Sequence, residues 1–176
     1  MKALVISDTH GNLDLVAEAG RLALRRGAGL VLHLGDDLED AAALPALGLQ
    51  VRGVQGVYHP EYRLADTPNR LLVRLEEVPL LLTHCRVCHP NDRPEDEEPA
   101  QLARRLSAAA VLYGHTHVPS IDEEDGLLWV NPGHLRPQDN RGWPPTVALI
   151  EANGGQLAVR IEELHTGLEF FSWPKK

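Results

Sequence analysis

The chain has 176 residues, 43% hydrophobic and 24% charged, with a net charge of -8 from 17 basic and 25 acidic side chains. That balance suits a globular protein with room for one full core, and it argues against a general surface for nucleic acid or anionic membrane. The two cysteines, Cys85 and Cys88, are too few and too close to build a disulfide framework.

No apolar run reaches the length of a membrane span, and the chain enters its first strand without a basic leader or an apolar h-region, so a cytoplasmic location is expected. Met1 to Ile6 is a short apolar run closed by Gly11-Asn12, which predicts a buried strand. Leu13, Val16, Ala17, Gly20 and Leu24 recur at helical spacing, with an acidic start at Asp14 and a stop at Gly27. Leu30 to Leu34 reads as a second strand, so the first two strands form a βαβ unit and run parallel. Glu39 to Leu47 reads as a short helix and Leu49 to Gly53 as a third strand, followed by an irregular stretch over 54–69. Arg70 to Leu75 and Val78 to Thr83 are paired β runs across Glu76-Glu77. A polar loop from His89 to Pro99 holds an acidic cluster over Glu95 to Glu98, which reads as a solvated face.

The helical pattern resumes over Ala100 to Ala109, and strands are expected at Ala110 to Tyr113 and Leu127 to Val130. Pro137 to Pro145 reads as a loop, and Thr146 to Glu151 with Gln156 to Glu163 as a closing hairpin across Asn153-Gly154-Gly155. The apolar tail Phe170-Phe171-Ser172-Trp173 is expected to dock on the body or on another copy of the chain, so a homo-oligomer stays open. No repeat, linker or boundary interrupts the pattern, which predicts a single domain over 1–176.

The polar punctuation follows a rule. Asp8 and His10, Asp36, His84, and His115 and His117 each fall just after an apolar strand. Open α/β sheets place ligands at the carboxyl ends of their strands, and carboxylates with imidazoles suit hard or borderline cations.

In order, SDTHG at 7–11, HLGDD at 33–37, LLTH at 81–84, LYGHTH at 112–117 and VNPG at 130–133 resemble the motifs of the calcineurin-like metallophosphoesterases, especially their small bacterial and archaeal phosphodiesterase branch. The resemblance spans most of the chain. It implies two packed mixed β-sheets flanked by helices, in an α/β fold. It also implies a dinuclear site, with Asp8, His10 and His117 on one ion, Asp36 bridging, and His84 and His115 on the second. Asp36, His84 and His115 are then the catalytic set. Two divalent ions are implied, Mn²⁺ first, with Fe, Zn²⁺, Ni²⁺ or Mg²⁺ as alternatives. Their shared water would serve as the hydroxide that attacks phosphorus in a phosphate-ester substrate, more in keeping with a phosphodiesterase than a monoesterase.

Three departures bear on that site. The family's asparagine after the third strand is here Val54, which cannot ligate, and Gly56 stands where an acidic residue is usual. Gln55, one residue later, or His59 could take over the missing contact, and without one the second site is weakened. Cys85 follows the ligand His84 and His134 follows the VNPG stretch, each either a ligand or a packed side chain. Cys85 to His89 also fits the c-type haem pattern, but His84 in register with another motif speaks against it. His33 reads as a hydrogen-bonding support for a ligand. Arg86 and Arg136 are weaker candidates for binding substrate phosphate. The competing reading is a non-catalytic or metal-regulated scaffold on the same fold, which Val54 and Gly56 favour.

Overall fold

The computed structural model describes residues 1–136 and 141–174. The chain builds two mixed sheets packed face to face with helices outside them. The first strands are β1 (Lys2–Ile6), β2 (Leu30–His33) and β3 (Gln50–Gly53), with helix α1 (Leu13–Arg26) between the first two. Strands β4 (Arg70–Leu75) and β5 (Val78–Thr83) follow, then α2 (Pro99–Arg105) and β6 (Ala110–Leu112). The chain continues through β7 (Ser120–Glu124), β8 (Leu127–Asn131), β9 (Thr146–Asn153), β10 (Gln156–Glu163) and β11 (Glu169–Trp173). One sheet runs β11-β10-β9-β1-β2-β3 and the other β4-β5-β6-β8-β7.

Period-two alternation explains the layers. Ala3 and Val5 of β1 point between the sheets, where they meet Leu80 and Leu82 of β5, Leu112 and Val130. Leu4 and Ile6 point the other way, onto Val16, Ala19 and Ala23 of α1. Leu81 and Val111 likewise leave the inter-sheet core to pack on Leu102 and Ala103 of α2. Strands covered on both faces read as unbroken apolar runs, and that is how β1, β2 and β5 look in the sequence.

β1 pairs with β2, and β2 with β3, in parallel, as the βαβ pattern requires. In the second sheet β5, β6 and β8 are also parallel. The expected hairpins, β4 with β5 and β9 with β10, are present and antiparallel. α1 is capped as its sequence indicates: the Asn12 side chain accepts from the Leu15 N–H, and Gly27 closes the helix at φ 73°.

The short helix expected over Glu39 to Leu47 is present as a 3-10 helix over Leu38–Leu47, with Pro45 inside it. Two other readings change. α2 stops at Arg105, because Ser107 takes a left-handed conformation at φ 52° and the Ala108 N–H turns back to the Ala103 carbonyl. Two edge strands were not anticipated. β7 carries Asp122, Glu123 and Glu124, and β11 holds the apolar tail against β10, where the Trp143 ring meets Phe170 edge-on and Phe171 at a tilt, with ring centres 5.3 and 5.9 Å away. The tail therefore docks on its own chain. The described residues contain no helix long and apolar enough to cross a membrane, and the Pro137–Pro145 loop lies partly outside them.

Candidate metal centre

The carboxyl ends of β1 and β2 in one sheet meet those of β5 and β6 in the other. The turns leaving these strands are strained. Asp8, His10, Asp36, His115 and His117 all have φ between 49° and 68°, a region non-glycine residues rarely adopt. Strain of about 1–3 kcal/mol per residue persists only where surrounding contacts over-determine it, and such residues cluster at functional sites. Here the contacts are visible. Asp40 accepts from Thr9 Oγ1 at 2.6 Å and from the Gly11 N–H at 2.7 Å, fixing the turn that carries Asp8 and His10. The His115 N–H donates to both Asp8 oxygens, at 3.2 and 3.0 Å, which ties the two sheets together. Asn131 Nδ2 donates to the Gly114 carbonyl and to Thr116 Oγ1, both at 3.0 Å, holding the turn between His115 and His117.

All six predicted ligand side chains converge. Asp8, His10, Asp36 and His117 offer ligand atoms that lie within 4.8 Å of one another, as do His84, Cys85 and His115. Asp36 joins the groups. Its Oδ2 is 3.6 Å from His10 Nε2, and its Oδ1 is 3.4 Å from His84 Nε2. His117 Nε2 lies 3.3 Å from Asp8 Oδ1.

The ring tautomers fit the same purpose. His84 Nδ1 is 2.8 Å from the Leu34 carbonyl, which can only accept, so Nδ1 carries the hydrogen and Nε2 presents a lone pair. That lone pair faces His115 Nδ1 at 3.2 Å, and His10 Nε2 faces His117 Nε2 at 3.2 Å. Imidazole nitrogens opposed in this way beside carboxylates suit a cation between them. The donor set, imidazole and carboxylate with one thiol nearby, fits borderline divalent ions.

Electrostatics support this arrangement. Burial alone would push the Asp8 carboxyl up, but its histidine contacts, the His117 hydrogen bond foremost, outweigh that and hold Asp8 below the ordinary carboxylate range. Burial holds His115 below the usual imidazole value. His33 is fully buried and pushed down to about 4. It accepts from the Gly35 N–H through Nδ1 at 3.2 Å, and its Nε2 is 3.5 Å from Thr9 Oγ1. This neutral ring supports both ligand-bearing turns of the first sheet.

The stretch after β3 departs as its sequence suggested. Val54 is 1% exposed and packs between the sheets. A Cβ at position 56 would lie 1.9 Å from Asp36 Oδ1, so only glycine fits where an acidic side chain was expected. Gln55 Oε1 is buried and has no hydrogen-bond partner. Its backbone carbonyl would come within 2.9 Å of a Cβ on Gly35, a position that also abuts His84.

His59 is engaged elsewhere, with Nδ1 accepting from the Glu61 N–H and Nε2 3.5 Å from Glu39. Cys85 is buried with Val57 and Tyr62, and burial, reinforced by the Asp92 charge, pushes its thiol up to about 12. His134 is buried and accepts from the Arg136 N–H at Nδ1, while Nε2 reaches the Trp143 carbonyl at 3.2 Å. Arg86 turns towards β7, pairing with Asp122 and Glu124, and its guanidinium lies 4.8 Å from the Trp129 ring centre. His165 is exposed and meets Glu18. A separate cleft of about 630 Å³, lined by Arg25, Arg160 and Trp173 among others, includes none of the ligand residues.

Two residues beside the centre were not read as part of it. Tyr58 and His89 lie with their ring centres 6.3 and 5.8 Å from that of His115. Both come from segments that read as irregular, where no periodicity marks which side chains will meet.

Known proteins resemble this chain in sequence and in fold. The model of the calcineurin-like phosphoesterase superfamily domain matches residues 1–155. A probable metallophosphoesterase of Methanothermobacter thermautotrophicus is 32% identical over 161 residues, covering 89% of each chain. Among solved structures, Vacuolar Protein Sorting 29 from Cryptosporidium parvum superposes with a TM-score of 0.72 at 22% identity, over 99% of this chain and 98% of that one. A novel archaeal phosphodiesterase superposes with a TM-score of 0.66 at 19% identity, over 92% of this chain and 99% of that one. At those identities the two structures speak for the fold alone. With a family match over residues 1–155 and a close relative over most of its length, the chain belongs to the calcineurin-like phosphoesterase superfamily.

Proposed function

We propose that the protein is a metal-dependent phosphodiesterase with a two-ion centre. The observation that carries this reading is the position of Asp36, whose two oxygens reach towards His10 on one side and His84 on the other. Asp8, His10, Asp36 and His117 would hold one ion, and Asp36, His84 and His115 the other. Gln55 is the better of the two replacements for the missing asparagine, because its amide oxygen is buried and orphaned while both nitrogens of His59 are occupied. Cys85 would add a sulfur ligand for a softer ion such as Zn²⁺. Mn²⁺ suits the remaining nitrogen and oxygen donors.

When bound, the ions supply an acidified water for attack at phosphorus and offset charge on the phosphoryl oxygens. The chain's own residues do the rest. Asp8 is kept ionised by its partners, the Leu34 carbonyl fixes the His84 tautomer, and His33 with Asp40 holds the turns in register. A diester carries one negative charge and a monoester up to two. With Arg86 paired to Asp122 and Glu124, the diester is the better match.

The test is metal analysis of protein purified without chelator, alongside hydrolysis of bis(p-nitrophenyl) phosphate and p-nitrophenyl phosphate in Mn²⁺. The reading expects two ions per chain and faster cleavage of the diester. Asp36→Asn should lower diester cleavage at least about a hundredfold, since it weakens both sites together. A protein that takes up no metal and cleaves neither ester would be a scaffold. Burial of Val54 at the asparagine position favours that second reading.

A further inference from the structure

Tyr58 is 71% exposed, which is unusual for an aromatic side chain beside a buried polar centre. Its ring stands edge-on to His89 at 5.5 Å and 85°, and both rings border His115. This wall is held in place from beneath. The Asn91 N–H donates to His89 Nδ1 at 3.1 Å, and the His89 N–H donates to Asp92 Oδ2 at 2.9 Å. Asn91 Nδ2 reaches across to the Val57 carbonyl at 2.9 Å, next to Tyr58, and Arg63 donates to Asn91 Oδ1 at 2.6 Å. Below them Asp92 pairs with Arg70 at 2.7 Å, both almost fully buried, and accepts from the Tyr62 hydroxyl.

A buried ion pair is a poor source of net stability, because desolvation cancels most of its attraction. What this one does is anchor the His89 loop to the start of β4, while the Tyr62 hydroxyl on Asp92 and Asn91 on the Val57 carbonyl join that loop to the one that carries Tyr58. Since His89 Nδ1 accepts, the ring hydrogen sits on Nε2, which has no hydrogen-bond partner among the described residues.

We propose that Tyr58 and His89 form the recognition wall for the organic part of the substrate, and that the substrate class is phosphoesters carrying a planar ring, such as nucleoside esters. Tyr58 supplies an exposed aromatic face for that ring, and His89 Nε2–H donates to a phosphoryl oxygen. Base–aromatic stacking is worth enough to change affinity by about tenfold or more. This rests on the phosphoesterase reading above and goes beyond it by naming what the ester carries.

The test is calorimetric titration of Mn²⁺-loaded protein with thymidine 5′-monophosphate and with methyl phosphate, after Mn²⁺ content has been measured. The expected result is about tenfold tighter binding of the nucleotide. Tyr58→Ala should bring that ratio close to one, and Tyr58→Phe should restore it. His89→Phe should weaken both ligands by about tenfold while keeping the ratio, because it removes a phosphate donor but leaves the packing edge. Equal affinities in the unaltered protein, or a ratio unmoved by Tyr58→Ala, would overturn the wall while leaving the phosphoesterase reading intact. Failure to take up Mn²⁺ would overturn both.

Discussion

His10 and His117 face each other nitrogen to nitrogen, with their Nε2 atoms 3.2 Å apart beside the Asp8 and Asp36 carboxylates. Without a cation, one Nε2 carries the ring hydrogen and donates to the other. A bound ion would instead take the lone pairs of both nitrogens. Added Mn²⁺ should therefore raise the melting temperature in a concentration-dependent way, by an amount equivalent to about 2.7 kcal/mol at a hundred times its dissociation constant. Differential scanning fluorimetry of chelator-treated protein checks this. His117→Ala should abolish most of the Mn²⁺ response, and an unchanged response would remove His117 from the ligand set.

Gln55 offers a prediction with opposite signs in the two states of the protein. Its Oε1 is buried with no partner, an arrangement that costs about 1–3 kcal/mol in a folded protein. Gln55→Leu should therefore leave the metal-free protein as stable as before or slightly more so. In Mn²⁺ the same substitution should lower the occupancy of the second site and the stability gained from it. Urea unfolding with and without Mn²⁺ separates the outcomes. Destabilisation of equal size in both conditions would show that Gln55 packs rather than ligates.

His33 predicts how the metal-free protein responds to acid. Burial lowers its folded pKa from 6.5 to about 4, so between those values the unfolded chain binds the proton and the folded one does not. The contribution is complete above about pH 6.5 and is lost as pH falls towards 4, with a total on the order of 3 kcal/mol. The downward displacement of His115 acts in the same direction. Urea midpoints from pH 7.5 to 4.5, in chelator, should fall more steeply for the unaltered protein than for His33→Gln. Parallel curves would mean that the buried ring is not the group being titrated.

The six candidate ligands were readable in the sequence for a physical reason. Each follows an apolar strand buried on both faces, so a continuous hydrophobic run announces where the polar turn begins. β7 and β11 escaped notice because edge strands lack that signature. Ser120–Glu124 is mostly acidic, and Glu169–Trp173 gains its place only by pairing with β10. The helical pattern of α2 ran past its true end because the alanines at 108 and 109 suit a helix, while Ser107 breaks it through a left-handed turn that composition does not mark. Val54 was legible as a missing ligand. That Gly56 is required by contact with Asp36 was not, since the clash depends on two turns meeting. Tyr58 and His89 were invisible as partners because their proximity is set by contacts between two irregular loops, Tyr62 on Asp92 and Asn91 on the Val57 carbonyl.

That pair yields the last prediction. Arg70 and Asp92 side chains are 5% and 6% exposed, and Asp92 also receives the Tyr62 hydroxyl and the His89 N–H. Removing one partner of such a pair strands the other charge in a dry environment, a loss of about 3–5 kcal/mol. Arg70→Met should therefore destabilise the protein by roughly that amount. Arg70→Met with Asp92→Asn should recover part of it, because no charge is then left unpaired. The two variants should differ little in their ability to take up Mn²⁺, since none of the metal ligands bonds to Arg70 or Asp92. Both should lose order in the loops that carry Tyr58 and His89. Hydrogen exchange at residues 57–63 and 89–93 reads this directly, with faster exchange expected there than in β1, β5 or β6. Unchanged protection in those loops would mean that the Asn91 contacts alone hold the wall, and that the buried ion pair serves the core beneath it.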